Sequence, residues 1–374
     1  MKRKEIFIIG GGLAGLSLAI HLSKAGIPTV VIEKDNYPRH KVCGEYVSNE
    51  VLPYLNYLDI DPFNNGAVAI NELLFSGVSG ASVQTNLPLG GFGISRYLLD
   101  KLLYDQALSS GARIIKDQVE KIDFINNEFT ITTLNGNTFK SGIVIGAYGK
   151  RASLDISLKR KFITKKSGWL AVKSHYNGNY QENRVGLHNF KGGYCGLSNV
   201  EEKRINVCYL AHYSQFKKHK NIDDFREEVM RKNPHLNRFF DAHKPIFEKP
   251  LTISQISFDR KELISNHVLM CGDTASLIHP LCGNGMAMAI MGAKLLGETI
   301  VEFFDANHSS REMLEKDYKT KWQKNFSARL GAGYLLQNLL AHQKITDFAI
   351  KSLKNQPAIL RRIIEATHGK AAHI

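Results

Sequence analysis

Gly10, Gly12 and Gly15 stand in the spacing Gly-x-Gly-x-x-Gly, and Glu33 follows at the distance that a dinucleotide-binding turn requires. Gly10 suits a tight turn, Gly12 lets a pyrophosphate approach the backbone, and Gly15 lets a helix lie close on a strand. Leu13 and Ala14 open that helix, whose free N–H groups and positive dipole end favour phosphate oxygens. Glu33, next to Lys34, can accept hydrogen bonds from ribose hydroxyls. A second chemical string lies far along the chain. Gly272-Asp273 ends an apolar run, and His279-Pro280 leads through Gly283-Asn284-Gly285-Met286 into a helical pattern. Cys43 and His279 add a thiol and an imidazole that can carry protons. The motif around Gly10 does not by itself say whether FAD or NAD(P) is bound.

These residues need elements to hold them. The apolar run Ile6–Ile9 reads as a strand covered on both faces, and Leu13–Lys24 as a helix stopped by Gly26 and Pro28. Thr29–Ile32 is a second buried strand, which completes a βαβ unit. A helix is expected to start at Ser48. Ser95 caps a helix over Arg96–Leu108, whose stripe is Leu98, Leu99, Leu102, Leu103 and Ala107. Arg113–Ser141 reads as a β-meander with a tight hairpin at Asn135-Gly136, returning to the strand Ile143–Ile145. Four β-like segments occupy Gly168–Ala211. Val268–Met270 leads to Gly272, and a long helix is expected over Met286–Phe304. From Ser309 onward the sequence is helical and basic, with amphipathic runs at Tyr334–Leu340 and Ile359–Ile364. Three readings stand for these runs: closing the substrate pocket, resting on a membrane surface, or, as the favoured expectation, plain packing against the body.

The chain has 374 residues, 43% of them hydrophobic and 22% charged, which fits one large globular body with a second lobe. No apolar run reaches 18 residues, and the first strand begins at Ile6, so neither a membrane span nor a signal peptide is expected. Five cysteines without a C-x-x-C pair predict reduced thiols and no metal site. A cytoplasmic location follows, with peripheral contact at the inner membrane surface as an alternative. The net charge of +14 admits an acidic substrate, an anionic membrane surface or a plain solvated basic surface. No nucleic-acid motif accompanies it.

Arg39-x-Lys41-x-Cys43-Gly44-Glu45, closely following the βαβ fingerprint, resembles the flavin-dependent geranylgeranyl reductases. They belong to the wider group of flavoproteins built like p-hydroxybenzoate hydroxylase. Gly272-Asp273-x-Ala275 with Pro280, Gly283 and Gly285 resembles the second flavin segment of the same group. The resemblance implies FAD as cofactor, Arg39 near its phosphates, Cys43 and Gly44 at the flavin ring, and Arg96 as a further contact. It implies that Asp273 bonds the ribityl hydroxyls and that the backbone of Gly283, Asn284, Gly285 and Met286 faces the flavin pyrimidine oxygens. Val119 and Pro280 are counted with the cofactor contacts, and His279 is placed beside the ring. Cys43 and His279 are the catalytic candidates. Tyr148 stands where the family pattern has an aspartate, and the Tyr-x-Trp-x-Phe-Pro form of the reductases and the Trp-x-Trp-x-Ile-Pro signature of the flavin halogenases are absent.

The fold class implied is α/β, a Rossmann-type FAD-binding domain interleaved with an antiparallel β-sheet substrate domain and followed by C-terminal helices. Residues 1–65, 94–165 and 259–305 are assigned to the first, 66–93 and 166–258 to the second, and 306–374 to the helices. The activity implied is an FAD-dependent oxidoreductase acting on C–C bonds of a large apolar substrate, isoprenoid or acyl, free or carrier-bound. The alternative is a monooxygenase that hydroxylates an aromatic or polyene through a C4a-hydroperoxide; a halogenase and a non-catalytic FAD protein are minor alternatives. The electron donor is left between NAD(P)H and a reduced carrier, and the oligomeric state is open.

Overall fold

The computed structural model describes residues 5–278, 282–306, 310–340, 350, 352–353 and 356–369. His279 and Pro280 lie outside the described residues.

The apolar opening strand Ile6–Ile9 lies inside a six-stranded sheet, flanked by Thr29–Glu33 on one side and Val144–Gly146 on the other. Both neighbours run parallel to it, and all four of its residues are at most 3% exposed. Val268–Met270 continues the parallel sheet beyond Val144–Gly146, and the short Ile264–Ser265 closes that edge antiparallel. At the other edge lies Arg113–Lys116, paired parallel with Thr29–Glu33. The reading of Arg113–Ser141 as one meander is therefore corrected. Only Val119–Ile125, Glu128–Thr133 and Thr138–Ser141 form the separate three-stranded sheet. The first segment is recruited to the parallel sheet, where Ile114 and Ile115 pair with Val31 and Ile32.

The helix Leu13–Lys24 packs between this sheet and the 21-residue helix Gly285–Asp305. Gly297 leaves room there for the His21 ring, which a Cβ would meet at 2.7 Å.

An eight-stranded sheet faces the first. Its order runs 251–254, 169–177, 204–212, 193–200, 184–190, 68–76, 82–93, 46–48, antiparallel except where Arg184–Phe190 joins Val68–Ser76. The chain crosses between the sheets through the loop from Glu33 to Tyr46. Tyr46–Ser48 then pairs with the end of Ser82–Gly93. Ser48 is a strand end that caps a short turn by accepting from Glu50 N–H, and the helix follows at Leu52–Tyr57. The helices Arg311–Leu340 and Pro357–Thr367 close one end of the molecule. Among the described residues no helix is long and apolar enough to cross a membrane.

Candidate cofactor and substrate site

A cavity of about 1070 Å³ runs between the two sheets. Gly10, Gly12, Leu13, Ala14, Glu33 and Lys34 line its nucleotide end, with Arg39, Arg96 and Val119. Further along lie Cys43, Gly44, Asp273, Gly283, Gly285 and Met286. Residues from four separate stretches of sequence thus meet on one surface.

Gly10 is in the left-handed region at φ +107°, and a side chain there would run into the Ala147 carbonyl. Around Gly12 the space is open: a Cβ would meet only Arg96 Nη2, 4.0 Å away. The Arg96 guanidinium is held by both oxygens of Asp100, at 2.7 and 3.0 Å, and Lys41 Nζ reaches the same carboxylate at 2.7 Å. Two cations therefore share one fully buried anion, which leaves one positive charge in excess beside the glycine turn. Burial and then the Arg96 charge lower the Lys41 pKa. A pyrophosphate at Gly12 would supply the missing anion, and it would meet the free N–H groups opening the helix at Leu13. Asp100 itself stays ionised: burial opposes this, but Arg96 and Lys41 hold its pKa below the ordinary value.

Glu33 accepts from Gly11 N–H at 2.7 Å, from Asp35 N–H at 3.0 Å and from Arg39 Nη2 at 3.3 Å. Arg39 also pairs with Asp35, so both of its recorded partners are carboxylates at the ribose end, while Arg96 and Lys41 flank the Gly12 turn. Gly15 and Gly272 pack elements rather than line the cavity. A Cβ at Gly15 would run into the Gly10 carbonyl, and one at Gly272 would meet Ala14 Cβ at 2.8 Å. Asn284 precedes the long helix, and its side-chain amide donates to Thr367 O at 3.0 Å instead of facing the cavity. Gly283, at φ +63°, lies over the Tyr46 ring.

A buried charged cluster that the motif reading did not single out stands behind Cys43. Glu45, itself at φ +52°, accepts from Arg96 N–H at 2.7 Å, from Lys173 Nζ, and hydrogen-bonds His175 Nε2 at 2.7 Å. Glu45, Lys173 and His175 are all fully buried. Burial would raise the Glu45 pKa, but Lys173 and His175 hold it below the ordinary value. His40 adds a ring 5.1 Å from that of His175, and its pKa is lowered to about 4 by burial and then by Lys173. His40, Glu45 and His175 bring three ligand-type atoms within 4.8 Å of one another. The Lys173 ammonium on the same carboxylate opposes a cation there, so the cluster works as a hydrogen-bonded tie between the crossing loop, the helix Arg96–Ser109 and the large sheet. Lys41 and Glu45 already stood in the string around Cys43. Lys173 and His175, two residues apart in an otherwise apolar strand, were the legible signal for the rest.

Tyr148 lines the cavity and donates to Asp155 Oδ1 at 3.2 Å. Cys43 is partly exposed, while burial pushes the neighbouring cavity thiol Cys208 up to about 12. All five cysteines are free.

The far end of the cavity is apolar. Leu73, Phe75, Leu87 and Val185 come from the large sheet, Leu360 and Ile364 from the last helix. The amphipathic run Ile359–Ile364 turns Leu360 and Ile364 inward and leaves Ile359 at 46% exposure. Leu336 lines the cavity, whereas Tyr334 and Leu335 point out.

Comparison with known proteins agrees with this geometry. The FAD dependent oxidoreductase family matches residues 5–42, which are the strand, phosphate turn, helix and loop described above. The digeranylgeranylglycerophospholipid reductase of Methanosarcina mazei is 25% identical over 94% of this chain and 88% of its own length. The flavin-dependent brominase Bmp2 superposes with a TM-score of 0.81 at 16% identity, covering 97% of this chain and 93% of that one. A geranylgeranyl bacteriochlorophyll reductase-like protein of Thermoplasma acidophilum gives 0.76 at 20% identity, covering 96% and 94%. A variant of halogenase PltM in complex with FAD gives 0.74 at 14%, covering 97% and 85%. Fold and site define an FAD-dependent oxidoreductase. Residues 5–42 match the FAD dependent oxidoreductase family, the chain is similar over most of its length to a digeranylgeranylglycerophospholipid reductase, and its cofactor is FAD.

Proposed function

We propose that this protein is a reductase that adds two hydrogens across a carbon–carbon double bond of a long apolar substrate, an isoprenoid or acyl chain. The observation that carries the reading is the apolar end of the cavity, walled by Leu73, Phe75, Leu87, Val185, Leu360 and Ile364. The name of the M. mazei relative, a digeranylgeranylglycerophospholipid reductase, supports the same substrate class.

Bound FAD would supply a hydride. The chain's own residues do the rest. Gly12, Arg96 and Lys41 would hold its pyrophosphate, and Asp273 would hold its ribityl chain. The N-terminus of the helix at Gly285 favours negative charge at the ring. The apolar walls align the substrate chain and exclude water. Cys43, a partly exposed thiol on the cavity wall, is the proton donor to the carbon next to the one that receives hydride. Burial raises the Cys208 thiol to about 12, which makes it the weaker acid.

The test is product analysis without oxygen. FAD-loaded protein reduced with dithionite and incubated with a geranylgeranyl glycerolipid or an unsaturated acyl thioester should yield products two hydrogens heavier per bond. Unchanged lipids and thioesters alongside hydroxylated products formed only with oxygen would overturn the reading. Cys43→Ala should slow product formation by about 100-fold, within the range of general acid catalysis, with FAD affinity retained.

A further inference from the structure

The last helix, Pro357–Thr367, turns one stripe to the cavity: Leu360, Ile363, Ile364, Thr367 and, just past its end, His368 all line it. These positions recur at helical spacing, so they share one face. The stripe changes character along its length. Leu360 and Ile364 belong to the apolar end, whereas Thr367 and His368 bring a hydroxyl and an imidazole. His368 stands eight residues beyond Leu360, or about 12 Å at the helical rise.

Three buried hydrogen-bond acceptors gather at this polar tip. His368 Nδ1 lies 3.0 Å from Ile364 O, which can only accept, so Nδ1 carries the proton and Nε2 is a bare acceptor. Burial lowers the His368 pKa from 6.5, which keeps the ring neutral at pH 7. Its Nε2 is buried and has no partner among the described residues, and the same holds for Asn284 Oδ1 and Glu50 Oε1. Both of these side chains are fully buried. Asn284 joins the tip through Thr367 O, and Glu50 through Gly369, where a Cβ would strike its Oε2. Arg329, 3.0 Å from Glu50, meets its charge, so the tip is neutral.

We propose that this tip binds the polar end of the substrate and selects a neutral hydroxyl, as on a prenyl alcohol or a glycerol, against a phosphate or carboxylate. An O–H donates to a bare acceptor and satisfies a buried group that is costly to leave unpaired. An ionised phosphate or carboxylate brings acceptors only, and here it would meet three more acceptors and the negative end of a helix. A chain alcohol lying along the stripe has its hydroxyl at His368 and its tail at Leu360 and Leu73. The end group then differs from the phospholipid for which the M. mazei relative is named. The inference rests on the apolar-chain reading of the cavity and names the end group which that reading leaves open.

The probes share one chain: geranylgeraniol, a geranylgeranyl glycerol ether, geranylgeraniol methyl ether and geranylgeranyl phosphate. Each is labelled with tritium, and its retention on immobilised FAD-loaded protein is measured. At least one of the two hydroxyl probes should bind about ten-fold or more tighter than the methyl ether and the phosphate. The tighter of the two tells a prenyl alcohol from a glycerol. His368→Phe should abolish that preference while leaving methyl-ether and FAD affinity unchanged. His368→Gln, which keeps an acceptor, should restore much of it. The proposal is overturned if the methyl ether or the phosphate binds the parent as tightly as the hydroxyl probes. It is equally overturned if His368→Phe weakens methyl ether and alcohol alike, which is what a merely structural role would do. Equal binding of all four overturns this inference alone; binding of none overturns the apolar-chain reading and this inference with it.

Discussion

Gly12 and Gly15 stand three residues apart and act on different links of the chain from sequence to function. A side chain at Gly12 would project into open space beside Arg96, the space proposed for the pyrophosphate. One at Gly15 would strike the Gly10 backbone and push the helix off its strand. Gly12→Val should therefore melt like the parent and bind FAD at least about ten-fold more weakly, read from flavin fluorescence quenching. Gly15→Val should cost about 1–3 kcal/mol of stability even without FAD. Glu45 is a second residue-scale test. Removing its charge leaves Lys173 buried without an anion, so Glu45→Gln should destabilise by about 3–5 kcal/mol in urea unfolding. The double variant with Lys173→Met should recover much of that loss. His188 sets a pH dependence. It lies between Ser76 Oγ at 2.8 Å and Tyr180 Oη at 3.2 Å, and burial, then His235, lowers its pKa from 6.5 to about 3. Its folded value is depressed, so its stabilisation is complete above pH 6.5 and is lost as pH falls toward 3. That loss is roughly 2 kcal/mol by pH 5, and His188→Gln should unfold with a correspondingly shallower slope between pH 7 and 5.

At the scale of elements, the loop from Glu33 to Tyr46 and the helix Pro357–Thr367 fix the two ends of the cavity. The helix is seated by Asn284 on Thr367 O and, just beyond it, by Gly369 packed on the ion pair of half-buried Arg329 with buried Glu50, 3.0 Å apart. Asn284→Ala should make the helix an early site of limited proteolysis while the flavin spectrum is kept. Leu360→Trp should fill the apolar end and weaken binding of a C20 polyprenol by about ten-fold or more, with FAD affinity unchanged. Much of this level was legible in the sequence. The opening βαβ unit, the helix capped at Ser95 and the long helix after Gly283 were all read within one or two residues, because caps and glycine stops mark them. The recruitment of Arg113–Lys116 to the parallel sheet was not legible, since nothing local distinguishes an edge strand from the first strand of a meander. The bounds of the strands Val68–Ser76 and Ser82–Gly93 were not legible, because each carries exposed or half-exposed residues that dilute its apolar content.

For the whole molecule, distant segments had to be brought together before the site existed. The glycines, Glu33 and Asp273 announced a cofactor because backbone geometry dictates those residue types. Lys41 and Glu45 stood in the string around Cys43, and Lys173 and His175 broke an apolar strand, but these residues and Asp100 work through partners up to 130 residues away, so only the fold reveals the pairing. The central claim is that one cavity sets a reducible flavin against a long unsaturated apolar chain. Its most direct test is the flavin absorbance of FAD-loaded protein, bleached with dithionite under strict exclusion of oxygen, after addition of a geranylgeranyl glycerolipid. The flavin band should return in step with loss of double bonds. A band that stays bleached with polyprenyl and acyl substrates alike, and returns only when oxygen is admitted, would contradict it.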